Sequence, residues 1–357
     1  MSDPEKRLEE VELILGNSNR RFSGVTSTML QVLQHQQKIM KLAVLGKHHL
    51  PEGVPVVTFR KLIRLCRTPL RDGRPRIFHA RRNNEMIQAL LLKRVFGARI
   101  KIIFTSTAQR YHSGFTRWLM GQMDDVISTC TAAASYLSTP PALLVPHGID
   151  LATYFPSNDR QADWNRLGLP GKKGIGIFGR VRKQKGVDLL VRAAIPLLKN
   201  HPDYTVVICG ETTPDQKPFQ EKLISEIKGA GLGNQFVFLG KRPFEEIPAL
   251  FRSMTIVAAL SRNEGFGLTV PEAMASGTAV LASEAGAWKD IVEDGVDGRI
   301  VPCDDLAATG KALQEMLELP DELEVMGAKG RLKIEQNYTI EREAKALCDF
   351  FKATAAG

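Results

Sequence analysis

Two carboxylates, Glu264 and Glu272, stand with seven residues between them in the segment 261–302, SRNEGFGLTVPEAMASGTAVLASEAGAWKDIVEDGVDGRIVP. Between them lies Gly265-Phe266-Gly267-Leu268, a glycine-flanked aromatic on what reads as a backbone-rich loop. The segment has the pattern strand–loop–helix–strand, and loops at the carboxyl ends of strands in open α/β sheets are where ligands sit. A second cluster, Gly179-Arg180-Val181-Arg182-Lys183-Gln184-Lys185-Gly186, also follows a strand and leads into a helix. Five residues separate Gly179 from Lys185. That spacing lets Arg180 and Lys185 converge on one anion near a helix N-terminus, where backbone N–H groups add attraction. Arginine grips phosphate oxygens through parallel hydrogen bonds, and lysine acts as a point charge. Each part also has a plainer reading. Thr269 and Glu272 match a helix capping box with Pro271 in the first turn, Glu264 fits an ordinary loop acid, and the basic turn fits a solvated one.

These residues need a scaffold, and the pattern along the chain supplies one. In the first half, strands are expected at Val11–Leu15, Leu42–Leu45, Val54–Phe59, Ile77–Ala80, Ile100–Phe104, Val126–Ser128 and Leu143–Val145. Helical periodicity begins near Gly24 and recurs over Met86–Phe96, whereas the arginine-dense Lys61–Arg76 reads as a solvated face or loop. Around 146–156 (PHGIDLATYFP) the composition turns to proline, glycine and polar residues, and the pattern restarts. Strands at Ile175–Phe178, Thr205–Cys209, Phe236–Leu239 and Thr255–Ala259 then alternate with helices at Val187–Leu198, Phe219–Ala230 and Glu245–Phe251. The expectation is two doubly wound parallel sheets, in domains 1–150 and 151–339, with a final helix within 340–357. Gly174-Ile175-Gly176-Ile177-Phe178-Gly179 spells the dinucleotide fingerprint GxGxxG, but its glycines fall within a strand instead of after one, which argues against a nicotinamide site.

The composition is globular: 43% apolar and 24% charged over 357 residues, enough for two domains. No apolar run approaches the roughly 18–20 residues of a spanning helix. The N-terminal MSDPEKRLEEVE is charged and mostly acidic, unlike a secretory signal. Five scattered cysteines without a CxxC pair (Cys66, Cys130, Cys209, Cys303, Cys348) read as small core residues in a reducing cytoplasm. The net charge of +9 is uneven: residues 1–150 hold 22 basic and 11 acidic residues, and 151–357 hold 26 and 28. An anionic membrane surface, nucleic acid or an anionic small acceptor would each account for a basic first half.

The string Glu-Gly-Phe-Gly-Leu-x-x-x-Glu-Ala-Met-Ala-x-Gly closely resembles the donor-site signature of retaining GT-B glycosyltransferases of the GT4 kind. Gly179–Gly186 resembles their second hallmark, and Ser23-Gly24-Val25-Thr26 resembles their glycine-bearing loop facing the donor phosphate. Val145–Asp150 is similar to their PNGVD segment, with His147 where asparagine is usual. The resemblance implies two Rossmann-like domains facing a cleft, the final helix packing back on the first domain, and a nucleotide-sugar donor. It assigns Arg180 and Lys185 to the diphosphate, Glu272 to ribose hydroxyls, and Gly24, Gly265, Phe266, Gly267 and Leu268 to the donor. Glu264 would orient the sugar at the catalytic centre, with His79 and Arg81. The usual Thr-x-His after the fourth strand is missing, since Thr105-Ser106-Thr107-Ala108-Gln109-Arg110 stands there.

Residues 79–86 (HARRNNEM) and 105–110 look most like bacterial lipopolysaccharide-core mannosyltransferases, which use GDP-mannose and act on the Kdo region. That likeness implies an anionic, lipid-linked acceptor met by Arg81, Arg82, Asn83, Asn84 and Arg110. It further implies no metal, because Arg180, Lys185 and helix N-termini would neutralise the diphosphate, and a peripheral place on the inner face of the cytoplasmic membrane. One alternative is a UDP-sugar-dependent glucosyl- or galactosyltransferase of the same family. A second, a nucleic-acid binder using the basic half, lacks the interleaved aromatics of single-strand binders, so no nucleic acid is expected.

Overall fold

The computed structural model of the chain describes residues 8–20 and 23–357. Most of the acidic N-terminal stretch (1–7) and two residues of the loop before Gly24 (21 and 22) lie outside the described residues. The chain divides into two units, the first running to Gly148 and including Ile340–Gly357, the second Ile149–Thr339. The division falls two residues before the expected boundary at 150 because the end of the second unit holds Ile149. Its N–H donates to the Tyr338 carbonyl at 2.8 Å, and it forms a parallel bridge with Thr339.

The first unit has seven parallel strands: β1 (Leu13–Gly16), β2 (Leu42–Leu45), β3 (Val56–Val57), β4 (Arg76–Ala80), β5 (Ile100–Ser106), β6 (Asp125–Ser128) and β7 (Leu143–Leu144). Their order is β3-β2-β1-β4-β5-β6-β7, so the winding reverses between β1 and β4. The second unit has six: β8 (Lys173–Phe178), β9 (Tyr204–Cys209), β10 (Phe236–Gly240), β11 (Ile256–Ala259), β12 (Ala279–Ser283) and β13 (Arg299–Val301). Their order, β10-β9-β8-β11-β12-β13, reverses between β8 and β11. β1, β2, β4, β9, β11 and β12 are buried along their whole length, as parallel strands covered on both faces must be. Both orders are those of doubly wound, Rossmann-like sheets.

Three local expectations change. The stretch Lys61–Arg76 is a loop only over 66–75: its start belongs to the helix Phe59–Leu65, which buries Leu62, and Arg76 is a buried strand residue. Its guanidinium donates to the carbonyls of Thr68 (2.5 Å) and Glu9 (2.7 Å), so one of the arginines is a core cross-tie. The helix expected over Met86–Phe96 starts earlier, at Asn83, and its last turn, Leu91–Val95, is π-helical. Cys303 is exposed, unlike the other four cysteines.

The final helix, Ile340–Ala356, packs on the helix Gly24–Gln36. Ile340, Ala344, Leu347, Cys348 and Phe351 share a buried cluster with Met29, Val32 and Leu33. Nearby, the Glu343 carboxylate accepts from His147 Nδ1 and from the Gly148 N–H, both at 2.8 Å. The histidine in place of asparagine therefore anchors this helix to the end of the first unit. Among the described residues, no helix is long and apolar enough to cross a membrane.

Candidate active site

In the second unit the two signature loops leave adjacent strands, β8 and β11, at the point where the winding reverses. That is the place where open α/β sheets leave a crevice beyond their carboxyl ends. Three contacts stitch the loops together. Lys185 Nζ forms an ion pair with Glu264 Oε2, both side chains about one-fifth exposed. Gln184 donates to the Asn263 carbonyl at 2.8 Å, and the Arg262 guanidinium clasps both oxygens of Asp188 at 2.9 and 3.0 Å. Arg262 was not singled out in the sequence, although a bidentate arginine beside the signature acid is what holds the loops in register. Asp188, in the first turn of the helix Val187–Leu198, is its buried partner, and this bonding raises the arginine's pKa further.

The glycine of Lys185-Gly186 is demanded by the backbone. Its φ is +71°, and a Cβ there would sit 2.0 Å from the Leu260 carbonyl oxygen. Lys185 drapes over Gly179, whose φ of +126° is likewise a glycine conformation. Arg180 is exposed at the start of this turn. The GxGxxG string lies in β8, where Gly174 and Gly176 leave room for Trp164 and Met254 to pack.

Glu264 also accepts from Ser261 Oγ (3.2 Å) and from the Gly265 N–H (3.3 Å), so its carboxylate is aimed by its own loop. Phe266 is buried, and its carbonyl accepts from the Ala287 N–H. Gly267 has φ +84°, and a Cβ there would meet the Trp288 indole at 2.4 Å. The same indole N–H donates to the Gly267 carbonyl at 2.7 Å. Trp288 thus fixes the loop's shape; its signal was the bulky ring just after Gly286. Leu268 is the residue preceding the helix Thr269–Ala275.

The capping box does not form. Thr269 is already the first helical residue, and no side chain caps this helix. Glu272 instead points into a buried setting, where Oε1 accepts from the Tyr154 hydroxyl at 3.0 Å. Burial pushes its carboxyl up to about 7, against the lowering effect of that hydrogen bond. Tyr154 sits in the 146–156 segment, which composition alone marks only as the place where the pattern restarts.

In the first unit the corresponding reversal lies between β1 and β4, and the candidates there behave differently. Arg82 donates to Glu85 (3.0 Å), Ser23 (3.1 Å) and Thr26 (2.8 Å), tying the loop after β4 to the one after β1. Glu85 is fully buried and also accepts from the Arg81 N–H at 2.8 Å. The anion that a cation at this helix start calls for is therefore supplied by the chain itself. Arg81 keeps a buried Nη1 with no hydrogen-bond partner, and burial lowers its guanidinium to about 10.

His79 is buried against Phe351, with Nε2 2.6 Å from Thr105 Oγ1 and Nδ1 unpartnered. Burial, and then Arg81, holds its pKa well below the ordinary value, so it is neutral at pH 7. Asn83 donates to Thr116, Asn84 and Arg110 are exposed, and Gly24 opens on empty space. Among the described residues, no group of three or more His, Cys, Asp or Glu side chains gathers as metal ligands would.

The sequence model of the family "Glycosyl transferases group 1" matches residues 159–333. The chain is 41% identical over 341 residues to the lipopolysaccharide core biosynthesis mannosyltransferase LpcC of Rhizobium leguminosarum bv. viciae, covering 95% of this chain and 96% of that one. It is 39% identical over 351 residues to the corresponding LpsB of Rhizobium meliloti, covering 97% and 98%. The fold matches the crystal structure of Anabaena Alr3699/HepE in complex with UDP at a TM-score of 0.81 and 16% identity, over 96% of this chain and all of that one. With two GT-B Rossmann-like sheets, both signature loops joined at one reversal point and relatives matched end to end, the chain belongs to the group 1 glycosyltransferases.

Proposed function

We propose that this glycosyltransferase moves mannose from GDP-mannose, with retention and without a metal ion, onto the Kdo region of a lipopolysaccharide inner core. Its place of action is the inner face of the cytoplasmic membrane. The observation that carries the donor half is the Lys185–Glu264 pair, which brings a cation of one signature loop against the carboxylate of the other. A donor diphosphate competes for Lys185 and draws in the exposed Arg180. Glu264, released from the lysine, is then free to accept from sugar hydroxyls, and Glu272 from the ribose. In the transfer, an acceptor hydroxyl oxygen bonds to the anomeric carbon as the bond to the diphosphate oxygen breaks. The nucleoside diphosphate leaves with that electron pair, and the hydroxyl proton is released.

The acceptor half is supported by the relatives' printed activity and by charge. The first unit has 25 basic and 13 acidic residues, the second 23 and 26. A basic unit suits a polyanionic, membrane-anchored saccharide, and each basic residue near such a surface adds about 1 kcal/mol. Arg81, whose buried Nη1 lacks a partner, and the exposed Arg110 are the arginines best placed to meet its carboxylate or phosphate.

Thermal shift against GDP, UDP, ADP and their sugars tests the donor, because a ligand at 100 times its Kd stabilises by about 2.7 kcal/mol. GDP and GDP-mannose are expected to raise the Tm most; a preference for UDP-sugars overturns the donor assignment. Transfer to a Kdo-containing acceptor should survive EDTA and yield the α-anomer. Activity abolished by EDTA and restored by Mg²⁺ or Mn²⁺ overturns the metal-free mechanism.

A further inference from the structure

The helix Asn83–Leu90 with its π-helical extension, and the helix Gly114–Met120, lie side by side on the first unit. Asn83 bonds Thr116 near their beginnings, and Arg94, in the π-helical turn, bonds Gln122 just past the end of the second helix. Each turns one face inward: Met86, Ala89, Leu90, Leu92 and Leu119 belong to the core cluster. Their outward faces carry large apolar side chains among the polar ones. Ile87, Leu91 and Val95 recur at a spacing of four and are all exposed, Val95 by 67%. Phe115 (55%) and Trp118 (56%) stand one turn apart with their rings stacked, centroids 6.1 Å from each other. Tyr111, on the loop leading in, is 81% exposed. Arg94 and Arg117, which neighbour Val95 and Trp118 in the chain, and Arg99, four residues past Val95, are exposed too.

Exposed apolar and aromatic residues gathered on two neighbouring helices, with arginines among them, mark an interaction site and not ordinary surface scatter. Aromatic rings with apolar neighbours and flanking arginines are the composition that rests at a bilayer's headgroup boundary, rings at the acyl edge and guanidinium groups at lipid phosphates. Charge decides the partner. The first unit carries a net +12, which repels a second copy of the same face and attracts an anionic lipid surface.

We propose that this two-helix face docks the protein on an anionic bilayer. The inference rests on the membrane-anchored acceptor proposed above and identifies the residues that reach the membrane. The apolar stripe begins at Ile87, one turn after Asn83, so docking carries the loop after β4, with Arg81, to the level of the headgroups. A lipid-linked acceptor would present its anionic sugars there.

Co-sedimentation with phosphatidylcholine vesicles, with and without phosphatidylglycerol, tests the surface on the full chain. The wild type is expected to bind the phosphatidylglycerol vesicles. Phe115→Ser with Trp118→Ser should cut partitioning at least about tenfold. Arg94→Gln, Arg99→Gln and Arg117→Gln together should remove the salt-sensitive part, about fivefold per charge. Transfer to a lipid-free acceptor should be unchanged in the aromatic variant, which also shows that it folds. Equal vesicle binding by wild type and variants overturns the surface, as does a wild type that binds neither vesicle. Light scattering that shows the aromatic substitutions breaking a dimer, with vesicle binding intact, assigns the face to a second copy and also overturns it. Loss of vesicle binding in the variants of a protein that transfers no mannose would leave the surface standing and remove the proposed function instead.

Discussion

The two units share one winding order over six strands and use its reversal point in opposite ways. Between β8 and β11, the loops meet through Lys185 and Glu264, with side chains 19% and 20% exposed. Between β1 and β4, they meet where Arg82 reaches Ser23 and Thr26, and Arg82 is itself paired with Glu85, the two side chains 15% and 0% exposed. A partly solvated pair keeps water, and later a ligand, within reach of both partners, so either can exchange. A pair with one fully buried member cannot exchange without leaving an uncompensated charge. Charged motif residues at equivalent topological positions are therefore exchangeable in one unit and part of the scaffold in the other.

The largest expected effect comes from breaking the buried network. Glu85→Ala should destabilise the first unit by about 3–5 kcal/mol, because it strands Arg82 and leaves the Arg81 N–H without its acceptor. Urea unfolding measures it; a loss below about 1 kcal/mol would show that the network is as exchangeable as the one in the second unit.

Next is Lys185→Ala, which should weaken donor binding by about 1.5–3 kcal/mol, the worth of a charged hydrogen bond, while the fold survives. Calorimetric titration with the nucleotide sugar reads it. Unchanged donor affinity would make Lys185 a structural tie to Glu264 and erase the contrast between the units.

Glu272 supplies a pH test. Its folded pKa, about 7, lies above the ordinary 4.5, so the protonated form is the one the fold favours. The stability it contributes is complete below about 4.5 and is lost as the pH rises through about 7. Nucleotide affinity should move the other way, rising through the same window as the carboxylate becomes a better acceptor. Tyr154→Phe removes the hydroxyl that holds the pKa down, and should shift that midpoint upward at a cost of about 1 kcal/mol in stability. Glu272→Gln should flatten the profile. Binding measured from pH 5 to 9 that shows no slope in the wild type would remove Glu272 from the donor site.

The smallest effect is expected at Arg110, exposed on the first unit. Arg110→Gln should raise the acceptor KM by roughly two- to fivefold, the worth of a surface charge contact, and added salt should shrink the difference. Arg82→Gln, in contrast, should show up in stability before it shows in KM. An acceptor KM that responds to Arg82 and not to Arg110 would reverse the roles assigned to the two arginines.

Much of this was legible in the chain itself. Short apolar runs rich in β-branched residues favour strands, so β2, β5 and β9 could be read to within two residues, and with them the alternation that makes a parallel sheet. The signature loops were legible because their glycines answer to backbone geometry: Gly186 and Gly267 stand where no other residue fits, and spacing records that.

Partnership was not legible, because it depends on residues distant in sequence. The string Thr269-x-x-Glu272 fits a capping box, yet Glu272 was claimed by a tyrosine 118 residues earlier, and only packing decides between the two. Residues 61–76 look solvated because arginine dominates their composition, but Arg76 found two carbonyls to satisfy in the core. Arg81 and Arg82 immediately precede the helix that begins at Asn83, where cations call for a nearby anion. That the anion is Glu85, already inside the fold, follows from the turn that brings residues three and four apart onto one face and from the burial that makes the pairing permanent.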